Sequence, residues 1–140
     1  MPYSILVEKT IPVSRAKVFA ALTNFGGINK LVPTIESVTL QGSGVGALRT
    51  IILKGFKGTI VERLEVAFDG RLFSYSIVAE SPLPFEHYHA VIELADAPNG
   101  GCLVKYACNC DAKGTSSPDE VKGFLTPLYN TIIDNIPKVA

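Results

Sequence analysis

Few side chains in this 140-residue sequence have the chemistry to hold or transform another molecule, and their spacing sorts them. Glu62 stands in the run Thr59 to Phe68, where Ile60, Leu64, Val66 and Phe68 share its parity. Alternate residues of a strand line one face, so this acid is expected to point inward with its apolar neighbours. In the preceding run Arg49 shares a face with Ile51 and Leu53. An inward acid and base on adjacent strands could orient a ligand's polar end or serve proton abstraction. They could also simply neutralise each other as a structural pair, because burying either charge alone costs several kcal/mol.

Other candidate motifs carry less. His87-Tyr88-His89 puts both imidazoles on the outward face, and no third ligand stands at a suitable spacing, so no metal is expected. Cys108-Asn109-Cys110 reads as a pair of buried, inert thiols, reduced because a strand would hold them about 6.6 Å apart. Gly42-Ser43-Gly44-Val45-Gly46 lies between two strands and opens no helix, which makes it a turn and not a phosphate cradle. No cofactor motif is present.

The elements that must position these groups follow from periodicity. Residues 3 to 11 form a β-type run ending at Pro12, and Ser14 caps a short helix from Arg15 to Leu22. Asn24 to Gly27 break it, and Ile28 to Val32 form one further turn before Pro33. Six β-type runs come next, at 35–41, 47–54, 59–68, 71–79, 85–94 and 102–110, separated by short turn sequences such as Asp69-Gly70. Turns this short mean an antiparallel meander. Ser117-Pro118-Asp119-Glu120 is a capping box, and Val121, Phe124, Leu125, Leu128, Ile132 and Ile136 then make the apolar stripe of a long helix, with Pro127 expected to bend it. The fold class is α+β: a curved seven-stranded antiparallel sheet wrapped around that helix, with two short helices after the first strand. The same parity turns Tyr75 and Ile77, Tyr88, and Tyr106 toward the helix.

Composition narrows the functional classes. Thirteen basic residues balance thirteen acidic ones and are spread along the chain, which argues against a nucleic-acid footprint. No apolar run approaches membrane-spanning length, and the first residues lack a basic-then-apolar signal pattern, so the cytosol is the expected compartment. Residues 1–140 are expected to form one domain. Oligomeric state is open.

Gly46-Ala47-Leu48-Arg49, Val61-Glu62-Arg63-Leu64, Arg71 to Ile77, Tyr88 to Ile92 and the helix from Ser117, in this element order, resemble the helix-grip fold of the START and Bet v 1 superfamily. The resemblance is to its polyketide-cyclase-like members and to the plant abscisic-acid receptors. It implies an internal ligand cavity lined by Lys30, Glu62, Tyr88, Phe124 and Leu128. Tyr106 and Ile132 differ from the receptors, which implies a more apolar guest. The loops 54–58 and 81–85 correspond to the mobile loops at the receptors' cavity mouth, with Phe56 as a possible apolar plug.

Three functions compete. The first is binding or transport of a hydrophobic or amphipathic small molecule such as a lipid, polyketide or isoprenoid. The second is a polyketide cyclase or dehydratase with Glu62 as base and Arg49 or a tyrosine stabilising an enolate. The third is an interaction module. A chamber of about 300 Å³ or more between sheet and helix is expected for the first two.

Overall fold

The computed structural model describes residues 3–140. Its strands are β1 (Ile5–Ile11), β2 (Ile35–Gln41), β3 (Leu48–Leu53), β4 (Ile60–Phe68), β5 (Leu72–Ile77), β6 (Phe85–Asp96) and β7 (Cys102–Ala112). The α-helices are α1 (Arg15–Thr23) and α2 (Pro118–Val139), and a 3₁₀ turn spans Phe25–Lys30. All seven strands form one antiparallel sheet in the order β1-β7-β6-β5-β4-β3-β2. The meander from β2 to β7 follows from its turns: Asp69 and Gly70 both take positive φ, 54° and 62°, at the centre of a tight turn that Arg71 N closes by donating to the Phe68 carbonyl at 3.0 Å.

Local signals place the helices. The Ser14 side chain accepts from Lys17 N at the start of α1, and the Ser117 side chain accepts from Glu120 N at the start of α2. α2 continues as one helix through Pro127, whose position on the exposed face keeps the ring out of the core. Its buried side, including Val121, Leu125, Ile132, Ile133 and Ile136, lies on the concave face of the sheet.

Alternation predicts the inward face of most strands but fails in the second half of β4. Leu64 pairs with Tyr75 while Val66 pairs with Ser74, so the register slips by one residue at Glu65. A bulge of this kind exchanges the two faces beyond it. Val66 and Phe68, expected inside, are therefore 36% and 66% exposed, and Ala67 packs on the core instead. The second short helix also differs from expectation. It begins at Phe25, three residues earlier than Ile28, and is a 3₁₀ turn whose three-residue repeat buries Phe25 and Ile28 together.

α2 does not sit centrally in its sheet. It packs most closely on β1 and β7 and stands away from β3 and β4. The gap on that side is where the candidate site lies.

Candidate ligand-binding cavity

The gap is a cavity of about 80 Å³ between α2, the concave faces of β3 to β6 and the segment just after α1. The volume is far below the ~300 Å³ expected, because Tyr75, Phe85, Tyr88 and Phe124 project into the space. It equals the room of two or three water molecules. Leu53, Ile77, Phe124 and Leu128 line it and are only half-buried, so the cavity reaches the surface where α2 faces the β3–β4 and β5–β6 loops.

The polar floor of the cavity is Arg49 with Glu62, set opposite each other on β3 and β4. Arg49 is 2% exposed and Glu62 8%. Glu62 Oε1 accepts from Arg49 Nε at 2.7 Å and pairs with Nη2 at the same distance, and Arg49 Nη1 donates to the Phe25 carbonyl at 3.2 Å. The guanidinium also lies 3.8 Å over the Phe25 ring centroid and 4.9 Å from that of Tyr75. Cation–π contacts of this kind strengthen when water is excluded. Packing of the 3₁₀ turn against β5 holds this arrangement: Phe25 meets Phe73 and Tyr75 edge-on at 6.3 and 6.4 Å.

Beside the ion pair, four tyrosine hydroxyls form a buried chain. Tyr75 bonds Tyr106 at 2.5 Å and lies 3.4 Å from Tyr88, and Tyr88 bonds Tyr129 on α2. The rings of Tyr106 and Tyr129 stack with centroids 4.0 Å apart. Burial is the main cause that pushes all four phenols well above the usual tyrosine range, with neighbouring phenols adding to it.

The residues expected at the site divide as follows. Arg49, Ile51, Leu53, Glu62, Tyr75, Ile77, Tyr88, Phe124, Leu128 and Ile132 all line the cavity. Tyr106 does not; it is buried behind Tyr75, whose hydroxyl it supports. Phe56 is 37% exposed and stays outside, packing edge-on against Phe124 at 6.1 Å. Lys30 is exposed and borders a separate surface depression with Lys17 and Asn24. With Ile28 turned inward, a repeat of three residues rotates Lys30 away from the cavity.

Sequence reasoning missed Tyr129, and it placed the loop 81–85 at the cavity mouth without naming Leu83 and Phe85 as lining residues. Tyr129 lies four residues after Leu125 and so belongs to the same helical stripe, a signal that was available. Leu83 comes from the β5–β6 loop, where periodicity says nothing, yet it is buried and lines the cavity. His87, with φ of 56° at a second register slip, is exposed and bonds Asp111 at 2.8 Å. That hydrogen bond raises its pKa. His89 instead meets Ser76 at 2.7 Å.

A bent antiparallel sheet gripping a long C-terminal helix is the architecture of the START and Bet v 1-like superfamily. Residues 4–140 match the model of the family described as polyketide cyclase / dehydrase and lipid transport, and the chain belongs to that family. Pathogenesis-related protein 2 of Phaseolus vulgaris is 30% identical over 122 residues, which cover 81% of this chain and 79% of that protein. Among solved structures, Ara h 8.0201 superposes with a TM-score of 0.74 at 25% identity, over 94% of this chain and 93% of that one. The protein XoxI of Bacillus cereus shares the fold with a TM-score of 0.81 at 23% identity, over 96% and 93% of the two chains.

Proposed function

We propose that this protein binds a small hydrophobic or amphipathic molecule, of the lipid, polyketide or isoprenoid kind, in the cavity under α2. The observation that carries the reading is a buried ion pair set in the floor of an otherwise apolar cavity that reaches the surface. A compact core gains little from such a pair, because desolvation offsets most of the attraction, whereas a binding site uses a few fixed polar groups to orient an apolar guest. At 80 Å³ the space must widen to admit one. The side chains positioned to yield are Phe124 and Leu128 on α2 and Leu83 on its loop, since each closes the cavity from its solvent-facing side. Phe56 follows Phe124 through their edge-on contact.

The test is a neutral apolar fluorophore, N-phenylnaphthylamine, together with native mass spectrometry of gently purified protein. Saturable uptake at one molecule per chain is expected. Leu128→Trp should fill the mouth and weaken that uptake at least about tenfold while the melting temperature moves by only a few degrees, because the site is half-exposed. An affinity unchanged in this variant would remove the cavity from the binding site.

A catalytic reading is favoured by one detail. Arg49 meets Glu62 at Oε1 alone, through Nε and Nη2, and Oε2 has no hydrogen-bond partner among the described residues. A carboxylate oxygen free at an apolar wall can take a proton from carbon next to a carbonyl, with a tyrosine hydroxyl or Arg49 stabilising the enolate, as cyclisation or dehydration requires. Glu62→Gln distinguishes the two readings. In an enzyme it abolishes turnover and leaves substrate binding; in a carrier only affinity changes.

A further inference from the structure

The charges around the cavity specify the polar end it accepts. Among the described residues, Arg49 and Glu62 are the only charged side chains that line it. The charge of Arg49 is already balanced: its Nε donates to Glu62 Oε1 and its Nη2 lies 2.7 Å from the same oxygen, while Nη1 donates to the Phe25 carbonyl and the Phe25 and Tyr75 rings lie close to the guanidinium. Glu62 keeps an oxygen free. Among the described residues its Oε2 has no partner, and it is not one of the buried polar atoms sealed from solvent. The cavity thus offers an acceptor whose charge is balanced from behind, and no cation in reserve.

Resting on the reading that this cavity takes a guest, we propose that the guest is an apolar alcohol or phenol whose hydroxyl donates to Glu62 Oε2, and that carboxylates are excluded. A neutral hydroxyl brings no charge to desolvate and gains a charge-assisted hydrogen bond. A carboxylate would stand beside Glu62 with little water between them, where like charges repel strongly. Arg49 cannot neutralise the newcomer as well, because its single positive charge is already balanced by Glu62, and a second anion would be left buried without a counter-ion. Lys30, exposed on the far side of the 3₁₀ turn, offers no second cation. Tyr75 and Tyr88 line the same cavity and have partners in Tyr106 and Tyr129, so each hydroxyl oxygen keeps a lone pair for the guest without leaving its own bond.

The experiment compares three probes of matched size, naphthol, naphthoate and methylnaphthalene, by NMR titration of the full chain near neutral pH. Naphthol should bind at least about tenfold more tightly than either of the others. In Glu62→Gln, which frees Arg49, naphthoate should gain on naphthol; if that variant does not fold, the wild-type comparison decides alone. Naphthoate or methylnaphthalene binding as tightly as naphthol would overturn the inference and leave the cavity reading standing. Failure of all three, together with no uptake of N-phenylnaphthylamine, would overturn both.

Discussion

Raising the pH through the phenol range will unfold this protein steeply. Tyr75, Tyr88, Tyr106 and Tyr129 are four of its five tyrosines, and in the folded state burial holds each protonated well above the usual range. In the unfolded chain a phenol loses its proton near pH ~10. Above that value the native state binds more protons than the unfolded state, so stability falls as pH rises; below it the contribution is fully present. Each such tyrosine subtracts about 1.4 kcal/mol per pH unit, and the four together about 5. That slope consumes a typical folding stability within about two pH units. Urea denaturation at a series of alkaline pH values measures it, and tyrosinate absorbance should rise together with loss of the fold. Tyr129→Phe should reduce the slope by about a quarter. Absorbance from several ionised tyrosines in a chain that is still folded would refute the linkage.

The second large effect concerns the ion pair. Arg49→Met leaves Glu62 buried without its counter-ion and should cost about 3–5 kcal/mol, a fall of roughly 10–20 °C in melting temperature for a chain of this size. Glu62→Leu strands Arg49 and should cost a similar amount. The double variant removes both desolvated charges and should return to within about 1–2 kcal/mol of the wild type. Denaturant midpoints of the four proteins give the coupling. If the single losses simply add in the double variant, the two residues do not act as a pair. The same double variant bears on function, since an apolar floor can still enclose an apolar probe but can no longer orient its polar end.

How far the sequence could be read depended on which signal each residue carried. Glu62 was legible because strand alternation is rigid, and its burial beside Arg49 follows from the registers of β3 and β4. Val66 and Phe68 were misread because nothing in their residue types announces the bulge at Glu65 that exchanges the faces. Lys30 was assigned to the cavity through resemblance alone; the pitch of its turn, a matter of which backbone hydrogen bonds form, carries it outside. Leu83 and Phe85 reach the cavity from a loop and a strand start, where local pattern is silent. The volume was the least legible quantity, because it is a small difference between two surfaces that almost meet.

The strand order carries a consequence for how the molecule is assembled. β1 and β2 are neighbours in sequence yet occupy opposite edges, and Ile5 finds its partner only at Cys108. The hairpins from β2 to β6 can close as soon as each is made, whereas β1 must wait for β7, a loop about a hundred residues around, and slow closure is the rule for such distant pairings. On a ribosome the amino-terminal strand would therefore emerge first and dock late, and the cavity would not exist until the carboxyl-terminal helix had left the exit tunnel.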